Sequence, residues 1–205
     1  DMVPVSPDMS NMIPAKLTGR PFWEIYLHAD PPNWKAYIEA VKKYEIDGWQ
    51  YAGRLGPAMD SPYELRPTST SDKREFRTEV VGRTDDAVIA RTYCATPAGE
   101  LWCETAYYRD QPPWPRRKYV KDLEADFEKL KYFYPDPSGL DDGCYREMAE
   151  AMGDLGATGL FVGLPGLHDL FNLIDGGFTD VVNLYLRRHD LVKELARIQE
   201  GYWVS

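Results

Sequence analysis

The stretch that decides the fold is residues 33–53, NWKAYIEAVKKYEIDGWQYAG. Its first twelve residues carry Trp34, Tyr37, Ile38 and Val41 at helical spacing, so they predict a helix over 33–44 with one apolar face. Residues 46–52 then predict a buried strand, reached from the helix through a short turn. Upstream, Val3-Pro4-Val5-Ser6 is a short β-favouring run. The order β, helix, β is that of a parallel sheet, and the fold class expected is α/β.

Downstream the pattern changes. Residues 76–82, 87–96 and 100–108 alternate apolar and polar positions, and Arg83-Thr84-Asp85-Asp86 and Pro97-Ala98-Gly99 separate them as hairpin turns. This is an antiparallel meander set into an α/β chain. Gln111-Pro112-Pro113-Trp114-Pro115 should break regular structure. Helices are expected over 118–133, with Val120, Leu123, Phe127 and Leu130 on one face, and over 141–155, with Tyr145, Met148 and Met152. The apolar run 159–164 fits a strand buried on both faces. Three short helical patterns follow near 167–174, 179–187 and 190–200, the last with Asp190 as its expected N-cap. No internal repeat or low-complexity tract interrupts the chain.

Composition excludes several classes. The net charge of −9 argues against general binding to a phosphate backbone. Arg116, Arg117, Lys118 and Lys121 form the one dense basic cluster, and the acids behind them suggest a solvated helix start. No apolar run approaches the roughly 20 residues of a membrane span, and no secretory leader is visible behind Asp1. The expected location is therefore cytoplasmic. Cys94, Cys103 and Cys144 lack metal-ligand spacing and are expected as free thiols, although Cys94 and Cys103 could meet across a hairpin. The 13% of aromatic residues can line a ligand pocket or fill a core.

Several segments together resemble the uroporphyrinogen decarboxylase superfamily. Asp1-Met2-Val3-Pro4-Val5 is similar to the D-R-V-P-V of its first barrel strand. Ala40 to Gly48 resembles the entry into strand 2, and Thr96-Pro97-Ala98-Gly99-Glu100-Leu101-Trp102 resembles a family hairpin. Leu123-Glu124, Leu130-Lys131 and Tyr134-Pro135-Asp136-Pro137 follow in the family's order, as do Gly163-Leu164-Pro165 and Gly176-Gly177. The resemblance implies a partial TIM (β/α)8 barrel with the meander at 75–108 as an insert. On this view residues 1–205 are a single incomplete barrel domain. Three of its eight strands are visible and strands 4–8 are missing.

Departures from the family pattern choose among its activities. The paired arginines that follow strand 1 in the decarboxylases have no counterpart in Met9-Ser10-Asn11-Met12 or in Tyr26-Leu27-His28-Ala29. The pyrrole-binding Asp should fall near Gly53-Arg54, where no carboxylate stands, and the Tyr after strand 3 corresponds to Phe171. The resemblance therefore points to the methyltransferase-like branch, which moves a methyl group to or from a corrinoid protein. No cofactor is expected in this chain itself. The zinc of that branch would be held by a His-x-Cys set and a later Cys that would lie downstream, and the corrinoid would sit on the partner protein. Decarboxylation of a tetrapyrrole or another carboxylate, and a non-enzymatic barrel that binds a ligand or dimerises, are the alternatives.

Barrel chemistry gathers at the C-terminal ends of the strands. There the expected substrate-binding residues are Asp8 and Asn11 after strand 1, Tyr51 and Arg54 after strand 2, and Asn172 after strand 3. Arg54 would clamp a carboxylate or phosphate. His168 is the expected acid–base residue, as the histidine that maps beside a strand end. The expected partners are a small-molecule substrate, a corrinoid protein and a second copy of the chain, with no nucleic acid and no membrane.

Overall fold

A computed structural model describes residues 5–7, 9–55, 66–136, 138–162 and 167–204. Helix α3 (Asn33–Tyr44) forms where the apolar spacing requires it, after the short helices α1 (Met12–Leu17) and α2 (Phe22–Tyr26). It ends at Glu45, which turns the chain through the left-handed region at φ 51°, and Lys42 and Lys43 face the negative end of its dipole. Strand β1 (Gly48–Leu55) follows. The first expected strand falls largely outside the described residues, but Val5 lies beside Asp47, where β1 begins. Its carbonyl accepts from Asp47 N at 2.9 Å and its amide donates to Asp47 Oδ2 at 2.6 Å.

The parallel partner of β1 comes late in the chain. Helix α5 (Gly143–Met152) leads through a 3-10 turn into β8 (Gly156–Val162), which pairs with β1 from Gly48↔Gly156 to Leu55↔Val162. Both helices lie on one face, joined by Trp34, Tyr37, Ile38, Val41, Met148 and Met152. Trp49 N donates to Tyr37 Oη at 2.8 Å, which ties α3 to the strand it precedes. Glycine is obligatory where the pair starts. A Cβ on Gly156 would lie 1.9 Å from the Gly48 carbonyl oxygen. The other face carries Trp49, 54% exposed, and its exposed register partner Ala157.

The meander is a four-stranded antiparallel sheet in the order β3 (Glu75–Arg83), β4 (Ala87–Thr96), β5 (Gly99–Tyr108) and β6 (Trp114–Arg117). The segment expected to break structure is irregular over residues 111–113, but its last two residues, Trp114 and Pro115, open β6. Pro115 is tolerated because β6 is an edge, with a register shift opposite Thr105. Phe76, Cys94 and Leu101 turn one face of this sheet into the larger core. There they meet α4 (Leu123–Leu130), α6 (Leu167–Leu173), α7 (Phe178–Arg187) and α8 (His189–Val204). A short antiparallel pair, β2 (Arg66–Thr68) with β7 (Gly139–Asp141), completes the described strands.

Two expected helix starts are displaced. Helix α4 begins at Leu123 rather than Lys118, because Asp122 accepts from Glu124 N at 2.9 Å and Ala125 N at 3.3 Å and so caps it there. Asp190 lies inside the first turn of α8 and pairs with Arg188 at 2.9 Å instead of capping. The architecture is α/β, with one parallel pair and one antiparallel sheet, and the described strands do not close into a barrel. No helix among the described residues is long and apolar enough to cross a membrane.

Candidate functional site

Strands β1 and β8 end side by side, Leu55 against Val162. Residues 56–65 and 163–166, which follow them in the chain, lie outside the described residues, and so does the expected turn Gly163-Leu164-Pro165-Gly166. Tyr51 and Arg54, expected after the strand, lie within it: Tyr51 pairs with Gly159 in the middle of the ladder and Arg54 with Phe161 one rung before its end, because β1 runs on to Leu55. His168 stands in the first turn of α6. The side chains of Tyr51, Arg54 and His168 are not among the described ones, and Asp8 falls outside the described residues altogether. Asn11 precedes α1, exposed and without a side-chain cap bond, and α1 packs against α3. Asn172 is an exposed residue of α6. The ladder thus joins Tyr51 and Arg54 to β8, the strand that precedes His168 and Asn172 in the chain, while Asn11 stands at the start of α1, a helix on α3.

Next to Asn172 lies a cluster that sequence reasoning missed. Residues 118–121, expected to open a solvated helix, instead run beside the end of α6. Val120 N donates to Leu173 O at 2.9 Å, and Asp175 N donates to Val120 O at 2.8 Å. Lys118 Nζ donates to the carbonyl of Phe171, and Lys118 N to Asp175 Oδ1 at 2.5 Å. Arg117 meets the other oxygen of Asp175 at 2.5 Å. Lys121 points back to the meander, where its ammonium donates to the carbonyls of Trp102, Lys118 and Tyr119. The same nitrogen lies 3.7 Å from the centre of the Trp102 ring.

Trp102 collects two further cations, Arg91 at 4.4 Å and Arg117 at 5.8 Å from its ring centre. Glu104, 9% exposed, accepts from Arg91 at 2.9 Å and pairs with Arg116 at 3.3 Å. The cluster therefore comes with its own counter-charges. Burial pushes Lys121 down to about 8, and Arg117 acts in the same direction against the pull of Asp175, Cys103 and Asp126. Three carbonyl acceptors fill the donor capacity of the ammonium, which makes Lys121 a tie between β5 and the start of α4 rather than a free nucleophile. One sequence signal pointed this way: an Asp at 122 with a Glu two residues on marks a helix that starts after the basic run.

The thiols are poor nucleophiles where they stand. Burial raises Cys94 to about 12, and burial also raises Cys103 and Cys144. All three are free, and Cys94 stands opposite Leu101 rather than Cys103 in the ladder. Among the described residues no three His, Cys, Asp or Glu side chains converge as a metal site. No family model matches the chain, and no curated protein or solved structure matches it.

Proposed function

We propose that the β1–β8 pair is a sector of a (β/α)8 barrel of the uroporphyrinogen decarboxylase type, with the meander as an insert between two barrel strands. We further propose that it serves methyl transfer to or from a corrinoid protein. One observation carries the reading. Two strands far apart in sequence lie parallel and adjacent, each led in by a helix on the same face, and the opposite face presents the exposed Trp49. That is the layer order of a barrel wall, helices outside and strands inside. Fold likeness alone does not select a chemistry; the choice of methyl transfer rests on the family pattern and on the missing arginine pair.

In this reading the edge at Leu55 and Val162 is the mouth of the barrel. Arg54 holds an anionic group of the substrate, Tyr51 and Asn172 flank it, and His168 exchanges a proton with it. Asp8 supplies a further polar contact after the first barrel strand.

The test is a titration of the protein with methylcobalamin, followed by tryptophan fluorescence and by the cobalamin spectrum in the presence of a thiol acceptor. Quenching that Trp49→Phe abolishes, with demethylation that His168→Ala removes, is the expected result. Absence of both binding and transfer overturns the reading, and release of carbon dioxide from uroporphyrinogen would put a decarboxylase in its place.

A further inference from the structure

Strand β3 is the outermost strand of the meander, and among the described residues it pairs with β4 alone. Its outer edge is a row of backbone donors and acceptors open to another strand. The residues on it are exposed on both faces from Arg77 to Val81, with Val80 at 51% and Val81 at 42%. A bulge between Val80 and Gly82 ends the regular stretch on one side, so the usable edge is Phe76-Arg77-Thr78-Glu79-Val80.

This five-residue segment is complementary to itself when reversed. Centred on Thr78, an antiparallel copy sets Arg77 against Glu79 and Glu79 against Arg77. It also sets Phe76 against Val80 and Val80 against Phe76. Thr78 meets Thr78, extending the contact it already makes to Thr92 at 2.8 Å. The charges lie on one face of the sheet and the apolar residues on the other, as strand alternation demands. Registers two residues away bring Glu75 against Glu79 or Glu79 against itself, and like charges directly opposite are destabilising. Arg77 and Glu79 are also pre-oriented. Arg77 stacks 3.6 Å from the Tyr93 ring centre, and Glu79 accepts from Tyr93 Oη at 2.6 Å.

We propose that β3 pairs with β3 of a second copy of this chain about a twofold axis at Thr78, which joins two four-stranded sheets into one. The isologous geometry requires each contact to occur twice, and the register supplies two ion pairs and two apolar pairs. The proposal stands independently of the methyl-transfer reading, because it rests on the meander alone.

Sedimentation equilibrium over a concentration series tests it. The wild-type chain is expected at twice its 23.5 kDa. Glu79→Arg sets Arg against Arg twice and should weaken the dimer by roughly tenfold or more. Exchanging both charges, Arg77→Glu with Glu79→Arg, should restore it. Because Arg77 also contacts Glu100 at 3.5 Å, a second variant guards against misfolding. Thr78→Cys should form a disulfide-linked dimer under mild oxidation while circular dichroism stays native. A wild-type monomer throughout the series overturns the proposal and leaves the edge to a different protein's strand. A dimer indifferent to Glu79→Arg and uncrosslinked by Thr78→Cys overturns it equally.

Discussion

Replacing Gly156 by alanine should damage the molecule far more than the same change at Gly48, although the two glycines are register partners. At Gly156 the new methyl carbon would lie 1.9 Å from the Gly48 carbonyl oxygen and 2.5 Å from its carbonyl carbon. Both atoms are backbone, so relief requires the first rung of the β1–β8 ladder to open. At Gly48 the nearest atoms are Met152 Sδ at 2.8 Å, Met152 Cε at 3.2 Å and Val41 Cγ2 at 3.2 Å. Methionine has three rotatable bonds and can swing aside. Overpacking with side-chain relief costs about 1–3 kcal/mol. Gly156→Ala adds the loss of ladder hydrogen bonds, about 1 kcal/mol each, and should exceed about 3 kcal/mol in total. Urea titration followed by far-ultraviolet dichroism reads the difference. With a slope of about 2 kcal/mol per molar, the Gly156→Ala midpoint should fall by about 1.5 M or more. Gly48→Ala should fall by about half as much. Equal midpoints for the two variants would refute the close backbone approach of β1 and β8, and with it the parallel pairing on which the barrel reading rests.

Asp122→Ala should cost about 1 kcal/mol by removing the cap of α4, and Asp122→Asn should retain most of that; indistinguishable melting of the Ala variant would show the cap to be idle. Lys121 should titrate near 8 when its 13C-methylated amine is followed by NMR. Between that value and the ordinary 10.5 the unfolded chain holds a proton that the folded chain has released, so this group makes stability rise with pH across the window. Titration at 10.5 would mean that the three carbonyls and the Trp102 ring fully offset burial. Cys94, raised to about 12, keeps its proton from pH 9 upward while the unfolded chain loses it, so its contribution to stability declines as pH rises through that interval. Alkylation at pH 9 should therefore reach Cys94 last, and only through unfolding; labelling of Cys94 as fast as Cys144 would contradict its burial.

Local pattern was enough to locate most elements. Trp34, Tyr37, Ile38 and Val41 mark α3 to the residue, because burial of one helical face leaves a period that no other local structure shares. The three long strands of the meander were legible for the same reason, and Pro97-Ala98 followed by Gly99 at φ 123° marks the β4–β5 turn. Helices α1 and α2 escaped notice because each is little more than a turn long, too short to show a period.

Other features exist only through contacts distant in the chain. Strand β6 follows Pro112-Pro113 and contains Pro115, so its start reads as a break; it becomes a strand because β5 offers it an edge on which the missing donor costs little. Lys118 and Lys121 read as solvated charges by composition, and each is held in part by a carbonyl that no local window contains, that of Phe171 for Lys118 and that of Trp102 for Lys121. The candidate site divides in the same way. That Tyr51 and Arg54 belong to the region of a strand was legible in the sequence, but the strand extends to Leu55 and includes both. That this strand lies parallel to β8, which leads toward His168 and Asn172, was decided by the tertiary structure. Periodicity records which face of an element is buried but carries no information about which distant element buries it. Pairing is settled by backbone hydrogen bonds and close fit, and both are properties of the assembled chain.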